Sequence, residues 1–376
     1  MANQNRARYI MIGGFLGSGK TTSVAKLAKY LSDSGKKVGL ITNDQGRELV
    51  DTKMLRSLGF ATEEISGGCF CCRFNSLVEA AQNLNSGSEP DAFIAEPVGS
   101  CTDLVATVTY PLRRIYGDDF EIAPLSVLVD PVRARRVFGL EEGGGFSEKV
   151  VYIYKKQLEE ADLIVINKQD LLTSGQLQEL KTTLQKKFPE SEVITISARN
   201  EEGLDHWFSK VLTGGTQAIR RTMEIDYEIY AEGEALLGWL NATVDVDCPE
   251  GVDGDELLET LAKEVQNRLN EKSAEIAHFK MTLNAAESLA GEVGILNLVR
   301  NDFVPELCQK LDDDVEKAQI IVNLRAEADP EVLAEVLEEA LAASSSVHGG
   351  TSLKIDHKEF FKPGKPTPTH RDLIGE

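Results

Sequence analysis

The sequence predicts an α/β protein: a mostly parallel sheet covered by helices on both faces, followed by a smaller, acidic α+β domain of ferredoxin-like order. Three observations predict it. Near the N-terminus a glycine loop joins a short apolar run to an amphipathic helical pattern. Apolar, strand-sized runs then alternate with helical patterns as far as residue 213, the signature of a parallel sheet buried on both sides. Finally, the charge balance breaks: residues 1–221 carry 28 acidic and 27 basic side chains, whereas 222–345 carry 29 acidic and 8 basic. The expected divisions are 1–215, 222–343 and a tail at 344–376.

The first element is the run 8–12, Arg-Tyr-Ile-Met-Ile, suited to a buried strand. The loop that follows reads G-x-x-x-x-G-K-T from Gly14 to Thr21 without a mismatch, and Val24, Leu27, Ala28 and Leu31 then recur at helical spacing. Strand, glycine loop and helix together make this a P-loop NTPase signature. Glycines let successive backbone N–H groups turn inward onto phosphate oxygens, and the helix N-terminus adds positive potential. Gly14, Gly17, Ser18, Gly19, Lys20, Thr21 and Thr22 are therefore the phosphate-binding candidates. Lys20 is placed to reach the outer phosphates as a catalytic charge, and the Thr21 hydroxyl to hold Mg²⁺.

Further strands are expected at 37–42, 91–95, 125–130, 163–167 and 192–197, with helices at 150–160 and 176–188 among those between them. Ligands of such sheets bind beyond the carboxyl ends of the strands, and most polar motifs fall there. Asn43-Asp44-Gln45-Gly46 follows the second strand, which makes Asp44 a candidate Mg²⁺ or switch carboxylate. Glu96-Pro97-Val98-Gly99 follows the next. Glu96 can hold the water shell of Mg²⁺ or position the attacking water, and the Gly99 N–H can face a γ-phosphate.

Asn167-Lys168-Gln169-Asp170, after the apolar run 163–166, reads as a guanine selector. The Asp170 carboxylate can accept from guanine N1–H and its exocyclic amine. Adenine presents an acceptor there and would leave the carboxylate unpaired, at a cost of about 1–3 kcal/mol. Asn167 would tie this loop to the P-loop, the stem of Lys168 would cover the base, and Ser197-Ala198 would complete the pocket through backbone groups. The nucleotide expected is GTP, with Mg²⁺.

Gly68-Cys69-Phe70-Cys71-Cys72 is the most unusual stretch. Three thiolates this close can converge on one soft or borderline ion such as Zn²⁺, Cu⁺, Ni²⁺ or Co²⁺, with Zn²⁺ placed ahead of Co²⁺ or Ni²⁺. A closed zinc site needs four ligands, and Glu64, Cys101, water or a partner's group remain open as the fourth. Cys248 and Cys308 read as small core residues.

In the acidic region the order expected is strand 241–247, helix 255–270, strands 275–283 and 293–299, short helix 304–311, strand 318–325, and a helix 330–342 capped by Asp329. Residues 223–230 could add a strand. From Ser344 the chain is rich in Ser, Gly and Pro, which reads as a flexible or wrapping tail. Such acidity argues against nucleic acid and anionic membranes as partners. No run has the length of a signal peptide or a membrane span, and six cysteines in 376 residues do not read as a secreted disulfide framework, so a reducing cytoplasm is expected.

The loop at 13–22, Glu64 with Gly68–Cys72, Glu96–Gly99, Val129-Asp130, and Gln157 leading into Ala161-Asp162 and Asn167–Asp170 together resemble the CobW-like GTPases, relatives of the urease and hydrogenase nickel-insertion GTPases. The resemblance covers the first 215 residues. It implies a GTP-hydrolysing metallochaperone whose C-x-C-C motif binds a transition metal and delivers it to a client metalloprotein or corrinoid enzyme, homodimerisation being open. This chain departs from the family's usual N-E-F-G with its Asn43–Gly46. Two other functions compete: a GTP-dependent accessory factor that gates a cobalamin-dependent or other cofactor-dependent enzyme, and a zinc-responsive binding module.

Overall fold

A computed structural model describes residues 6–43, 55–56, 58–117, 119–214, 222–285 and 293–373. The described chain forms two compact units, one built from residues up to Ala231 together with those from Lys365, the other from Glu232–Gly364.

The first unit is a parallel sheet. Its strands are β1 (Ala7–Gly14), β2 (Val38–Asn43), β3 (Ala61–Ile65), β4 (Ala92–Glu96), β5 (Phe120–Ile122), β6 (Ser126–Val129), β7 (Leu163–Ile166) and β8 (Glu192–Thr195). They lie in the order β3-β2-β4-β1-β6-β7-β8, with β5 also paired to β1. Every one of these pairings is parallel, so the carboxyl ends of the strands share one edge. The unbroken apolar runs are explained by burial: β2, β4, β6 and β7 are buried at every position. Helix α1 (Lys20–Asp33) turns Val24, Leu27, Ala28 and Leu31 onto Ile10, Ile12, Leu40 and Ile94. Each such side chain contributes about 1.5–3 kcal/mol by leaving water. The strands β3 and β5 are additions to the sequence expectation. The first is half polar and the second only three residues long, so neither carries the periodic signal of its neighbours.

The second unit is an antiparallel sheet with two long helices. Its elements are β9 (Leu237–Val252), then a helix Gly254–Glu271, β10 (Glu275–Ala285), β11 (Val293–Leu298), β12 (Glu306–Gln309), β13 (Val315–Glu327), a helix Pro330–Val347 and β14 (Ser352–Phe361). The strand order is β12-β11-β10-β13-β9-β14. Two split β-α-β units interleave here. The first helix joins β9 to β10 around β13, and the second joins β13 to β14 around β9. Leu257, Leu261, Val265, Leu333, Val336 and Leu337 from the helices meet Val244, Met281, Ile320 and Val322 from the strands. The Asp253 side chain caps the first helix by accepting from the Glu256 N–H at 3.0 Å.

Four expectations are corrected. The stretch 304–311 contains β12 rather than a short helix, because it pairs with β11 as an edge strand. Residues 223–230 do not form a strand, since Tyr227–Leu236 is helical. The first unit does not stop at 215–222 but holds the chain to Ala231, where Tyr227 donates to Asp103 at 2.7 Å and Tyr230 donates to the Ser100 carbonyl at 3.4 Å. The stretch from Ser344, expected as a flexible or wrapping tail, first finishes the second helix and supplies β14 as the fourth strand of the ferredoxin-like arrangement, and only residues 365–372 wrap, packing within the first unit. No helix among the described residues is long and apolar enough to cross a membrane.

Candidate functional site

The glycine loop leaves β1 at Gly14, whose backbone has φ +132°; a Cβ there would sit 2.3 Å from the Leu128 carbonyl of β6. It enters α1 through Gly19 at φ +89°, where a Cβ would lie 2.4 Å from Asn167 Nδ2. Only glycine fits either position. Lys20 is buried, with Nζ 3.5 Å from the Phe15 carbonyl that it approaches as donor. Thr21 Oγ1 donates to Glu96 Oε1 at 3.0 Å, so the hydroxyl of α1 and the carboxylate ending β4 meet. Ser18 Oγ is buried with no hydrogen-bond partner, an oxygen aimed into the loop. Thr22, next along α1, is half-buried.

The loop after β7 closes over the same glycine loop. Asn167 Nδ2 donates to the Ser18 carbonyl at 2.9 Å, while its Oδ1 accepts from the Lys168 N–H at 2.8 Å and the Ala198 N–H at 3.0 Å. One side chain thus joins three loops. Lys168 Nζ donates to the Gly17 carbonyl at 2.7 Å and pairs with Asp130 Oδ2 at 3.0 Å. Asp130, which ends the β6 strand run, also accepts from the Arg133 N–H at 3.0 Å. Asp170 is exposed on this loop and Ser197 is buried beside Ala198. Asp44 lies outside the described residues, as do Gln45 and Gly46.

The cysteine loop follows β3 on the same edge of the sheet. Gly67 and Gly68 have positive φ, and Asn43 at the end of β2 donates to the Gly68 carbonyl at 2.7 Å. A tight turn follows, with the Cys72 and Arg73 N–H groups donating to the Cys69 carbonyl at 3.0 and 2.9 Å. This turn runs into helix α2 (Phe74–Ser88) and draws the sulfurs together: Cys69–Cys71 is 2.8 Å, Cys69–Cys72 3.2 Å and Cys71–Cys72 3.7 Å. Among the described residues these three are the one group of His, Cys, Asp or Glu able to share an ion, all ligand atoms lying within 4.8 Å of one another. Glu64, half-buried on β3, is not part of it.

The thiols are unequal. Hydrogen bonds from Cys101, Cys71 and Cys72 hold the Cys69 thiol well below its ordinary range, favouring its thiolate. Sharing with Cys69 pushes Cys71 well up and Cys72 up to about 11. One sulfur of the three is therefore favoured as thiolate, and the other two hold their protons more tightly.

Two parts of this neighbourhood escaped sequence reasoning. The segment after Lys365 crosses the cysteine loop, where the Thr367 N–H donates to Cys72 Sγ at 3.2 Å and the Thr369 N–H to the Cys71 carbonyl at 2.8 Å. His370 meets the Phe74 ring edge-on at 4.9 Å, and Arg371 Nε donates to Asp103 Oδ2 at 2.7 Å. Glu160 is the other. It accepts from Thr102 Oγ1 at 3.1 Å and the Val105 N–H at 3.0 Å, and burial pushes its carboxyl up to about 8. No local pattern marks either, because each is defined by partners distant in sequence.

The family described as CobW/HypB/UreG, nucleotide-binding domain, matches residues 8–195. The zinc chaperone YeiR of Escherichia coli (strain K12) is 30% identical over 187 residues, covering 49% of this chain and 53% of its own. The zinc chaperone CobW of a Sinorhizobium species is 29% identical over 222 residues, 54% of this chain and 61% of its own. Hydrogenase maturation factor HypB of Azotobacter chroococcum mcd 1 is 26% identical over 217 residues, 55% of this chain and 63% of its own. The chain thus spans little more than half the length of these relatives. The matched region holds the glycine loop, the cysteine turn, Glu96 and Asn167–Asp170, and by it the chain belongs to the CobW/HypB/UreG family of nucleotide-binding domains.

Proposed function

We propose that this protein is a GTP-hydrolysing metallochaperone that takes up a transition metal at Cys69, Cys71 and Cys72 and passes it to a client metalloprotein. The observation that carries the reading is the convergence of three sulfurs within 3.7 Å on the strand edge that also bears the phosphate loop. Relatives that are named zinc chaperones make zinc the first metal to test.

The residues present suit the expected groups. Thr21 and Glu96 offer two hard oxygens 3.0 Å apart, a donor set fit for Mg²⁺, which would neutralise charge on the outer phosphates. Lys20 would place its charge on the same phosphates, and inward N–H groups of the loop would cradle them. Asp170, exposed beyond the Asn167 brace, would accept from the guanine edge. Glu96 would orient the attacking water as well as support the ion. Asp44 stays a candidate for the switch loop.

Three soft sulfurs suit zinc, cobalt or nickel instead. Three ligands hold such an ion while leaving one position for a receiving group, the arrangement a carrier needs. Titration of the reduced protein with Zn²⁺ against a competing chelator, with and without a non-hydrolysable GTP analogue, tests the reading. The triple replacement Cys69→Ser, Cys71→Ser, Cys72→Ser should lower affinity by at least about a thousandfold while leaving guanine-nucleotide binding intact. Unchanged zinc affinity would sink the carrier mechanism. GTP turnover indifferent to metal, together with a stable complex with one corrinoid enzyme, would point to the accessory-factor role.

A further inference from the structure

We propose that Arg133 is a positioning residue of the phosphate site: by holding the Leu16 carbonyl, its guanidinium sets which way the Leu16–Gly17 peptide faces and keeps the Gly17 N–H turned towards a bound nucleotide. This role rests on the reading of Gly14–Thr21 as the cradle of a guanine nucleotide. It adds a brace from outside the two motifs that define that cradle.

A glycine loop is permissive in a particular way. The C=O and the N–H of one trans peptide point in opposite directions, so turning the peptide over exchanges a donor for an acceptor. Such a turn changes ψ of the residue before it and φ of the residue after it, and glycine accepts φ of either sign. Between Phe15 and Lys20 two peptides run into a glycine: Leu16–Gly17, with φ +76° at Gly17, and Ser18–Gly19, with φ +89° at Gly19. The backbone alone does not choose the face of either. Turned over, each would aim a carbonyl, the negative end of its dipole, at the phosphates.

Side chains make the choice. Asn167 donates to the Ser18 carbonyl at 2.9 Å and Lys168 to the Gly17 carbonyl at 2.7 Å. Arg133 does the same one residue earlier, its Nη1 donating to the Leu16 carbonyl at 2.5 Å. Three consecutive carbonyls are thus taken by donors from the loops after β6 and β7, and the N–H groups of Gly17, Ser18 and Gly19 face the other way. That other side is marked by the Phe15 carbonyl, on which the Ser18 N–H at 3.2 Å and Lys20 Nζ at 3.5 Å converge.

Arg133 is firmly built in. It is 4% exposed, on the short helix Pro131–Val137. Asp130 accepts from its backbone N–H and pairs with Lys168 through the other oxygen, so one carboxylate anchors both cationic braces. The guanidinium carbon lies 5.4 Å from the centre of the Phe15 ring and 5.0 Å from that of Phe146, and the two rings meet edge-on at 5.5 Å. A planar guanidinium can rest against aromatic rings and still donate from its rim. Phe15 belongs to the glycine loop itself. Arg133 therefore grips that loop twice, through a ring and through the next residue's carbonyl.

The inward N–H groups meet phosphate in substrate and product alike. Loss of one weakens GDP and GTP together and raises KM, while kcat at saturation is kept.

The purified full-length protein with Mg²⁺ tests this through its affinity for GDP and for a non-hydrolysable GTP analogue, its GTP turnover, and its thermal unfolding without nucleotide. Arg133→Gln should weaken both affinities and raise KM at least about tenfold, with kcat within about twofold of wild type. Arg133→Lys restores a charged donor to the same carbonyl and should recover most of the loss. Phe146→Leu keeps the arginine and removes one of its rings, which covers the case in which Arg133→Gln does not fold; it should weaken both nucleotides by about threefold. A side chain that merely supported the fold would behave differently. Its loss would lower the melting midpoint and kcat through fewer active molecules, leave KM alone, and gain nothing from lysine. That pattern, or nucleotide affinities of Arg133→Gln and Phe146→Leu equal to wild type, overturns the role of Arg133 and spares the nucleotide site. A wild type that binds neither GDP nor the GTP analogue overturns the GTP reading itself.

Discussion

Glu160 is the buried acid on which the loop beyond Cys101 hangs. Both of its oxygens accept, from Thr102 and from the Val105 N–H, and its carboxyl is raised to about 8 by burial. An unfolded glutamate loses its proton near pH 4.3, whereas this one keeps it until about 8. The folded state therefore binds the extra proton across that window. The corresponding stability is present below the unfolded pKa and is lost as pH rises through the folded value. Glu160→Gln should keep the fold, since its amide nitrogen can donate to Thr102 Oγ1 while its oxygen still accepts from Val105. Thermal unfolding should show near-equal midpoints for wild type and variant at pH 4.5. The variant should lead progressively towards pH 9, by an amount on the order of a few kcal/mol. A constant difference across pH would contradict the assignment. Nothing near Glu160 in sequence announces this. Its hydrogen-bond partners are more than fifty residues upstream, so neither its burial nor its proton is written in local spacing. Gly14–Thr21, Cys69–Cys72 and Asn167–Asp170 were legible for the opposite reason, since their chemistry is set by neighbours in sequence.

At the scale of elements, the segment from Lys365 shows what composition leaves open. Repeated prolines, with Gly364, read as a flexible or wrapping tail, and the burial of Pro363 and Pro366 decides for wrapping. Proline carries no N–H and restricts the residue before it to extended backbone, so this stretch crosses a surface without forming a sheet. The donors it retains are spent on the cysteine turn, through Thr367 and Thr369. Its anchor is the Arg371–Asp103 pair, in which the carboxylate is 1% exposed and Tyr227 also donates to it. Arg371→Ala leaves that carboxylate short of its charged partner, which should cost about 1–3 kcal/mol. Amide exchange at Thr369 should accelerate well beyond the change seen at β7, whose strand hydrogen bonds the substitution does not touch. Equal acceleration at both places would mean global destabilisation rather than a released segment. The strand β14 was hidden in the same stretch. Its register against β9 is fixed by a partner more than a hundred residues earlier, and its edge position lets Lys354 and Lys358 interrupt the apolar pattern.

Across the whole molecule the two units differ in charge far more than in packing. Residues 232–364 carry 28 acidic and 11 basic side chains, so most of the net charge of −21 belongs to the second unit. Pairs such as Lys263–Glu259 and Arg268–Glu264 are spaced one helical turn apart, and each such pair adds only about 0.3–0.5 kcal/mol. Surplus carboxylates then repel one another at separations comparable with the screening length, and the unit's own core must hold against that repulsion. Raising the ionic strength shortens the range of the repulsion. Between about 20 mM and about 300 mM NaCl the second unit should gain on the order of 1 kcal/mol, equivalent to several degrees in its midpoint. The first unit is almost balanced and should change much less. Hydrogen exchange followed by mass spectrometry separates them in one experiment. Peptides from Gly254–Glu271 and β10 should slow markedly with salt, while peptides from β7 and Ser174–Lys187 stay nearly constant. Should both sets slow together, the effect is a general stabilisation of folded protein by salt, and the acidity of the second unit is simply a solvated face. A response confined to that unit would mean that its own carboxylates, rather than the fold in general, set its salt dependence.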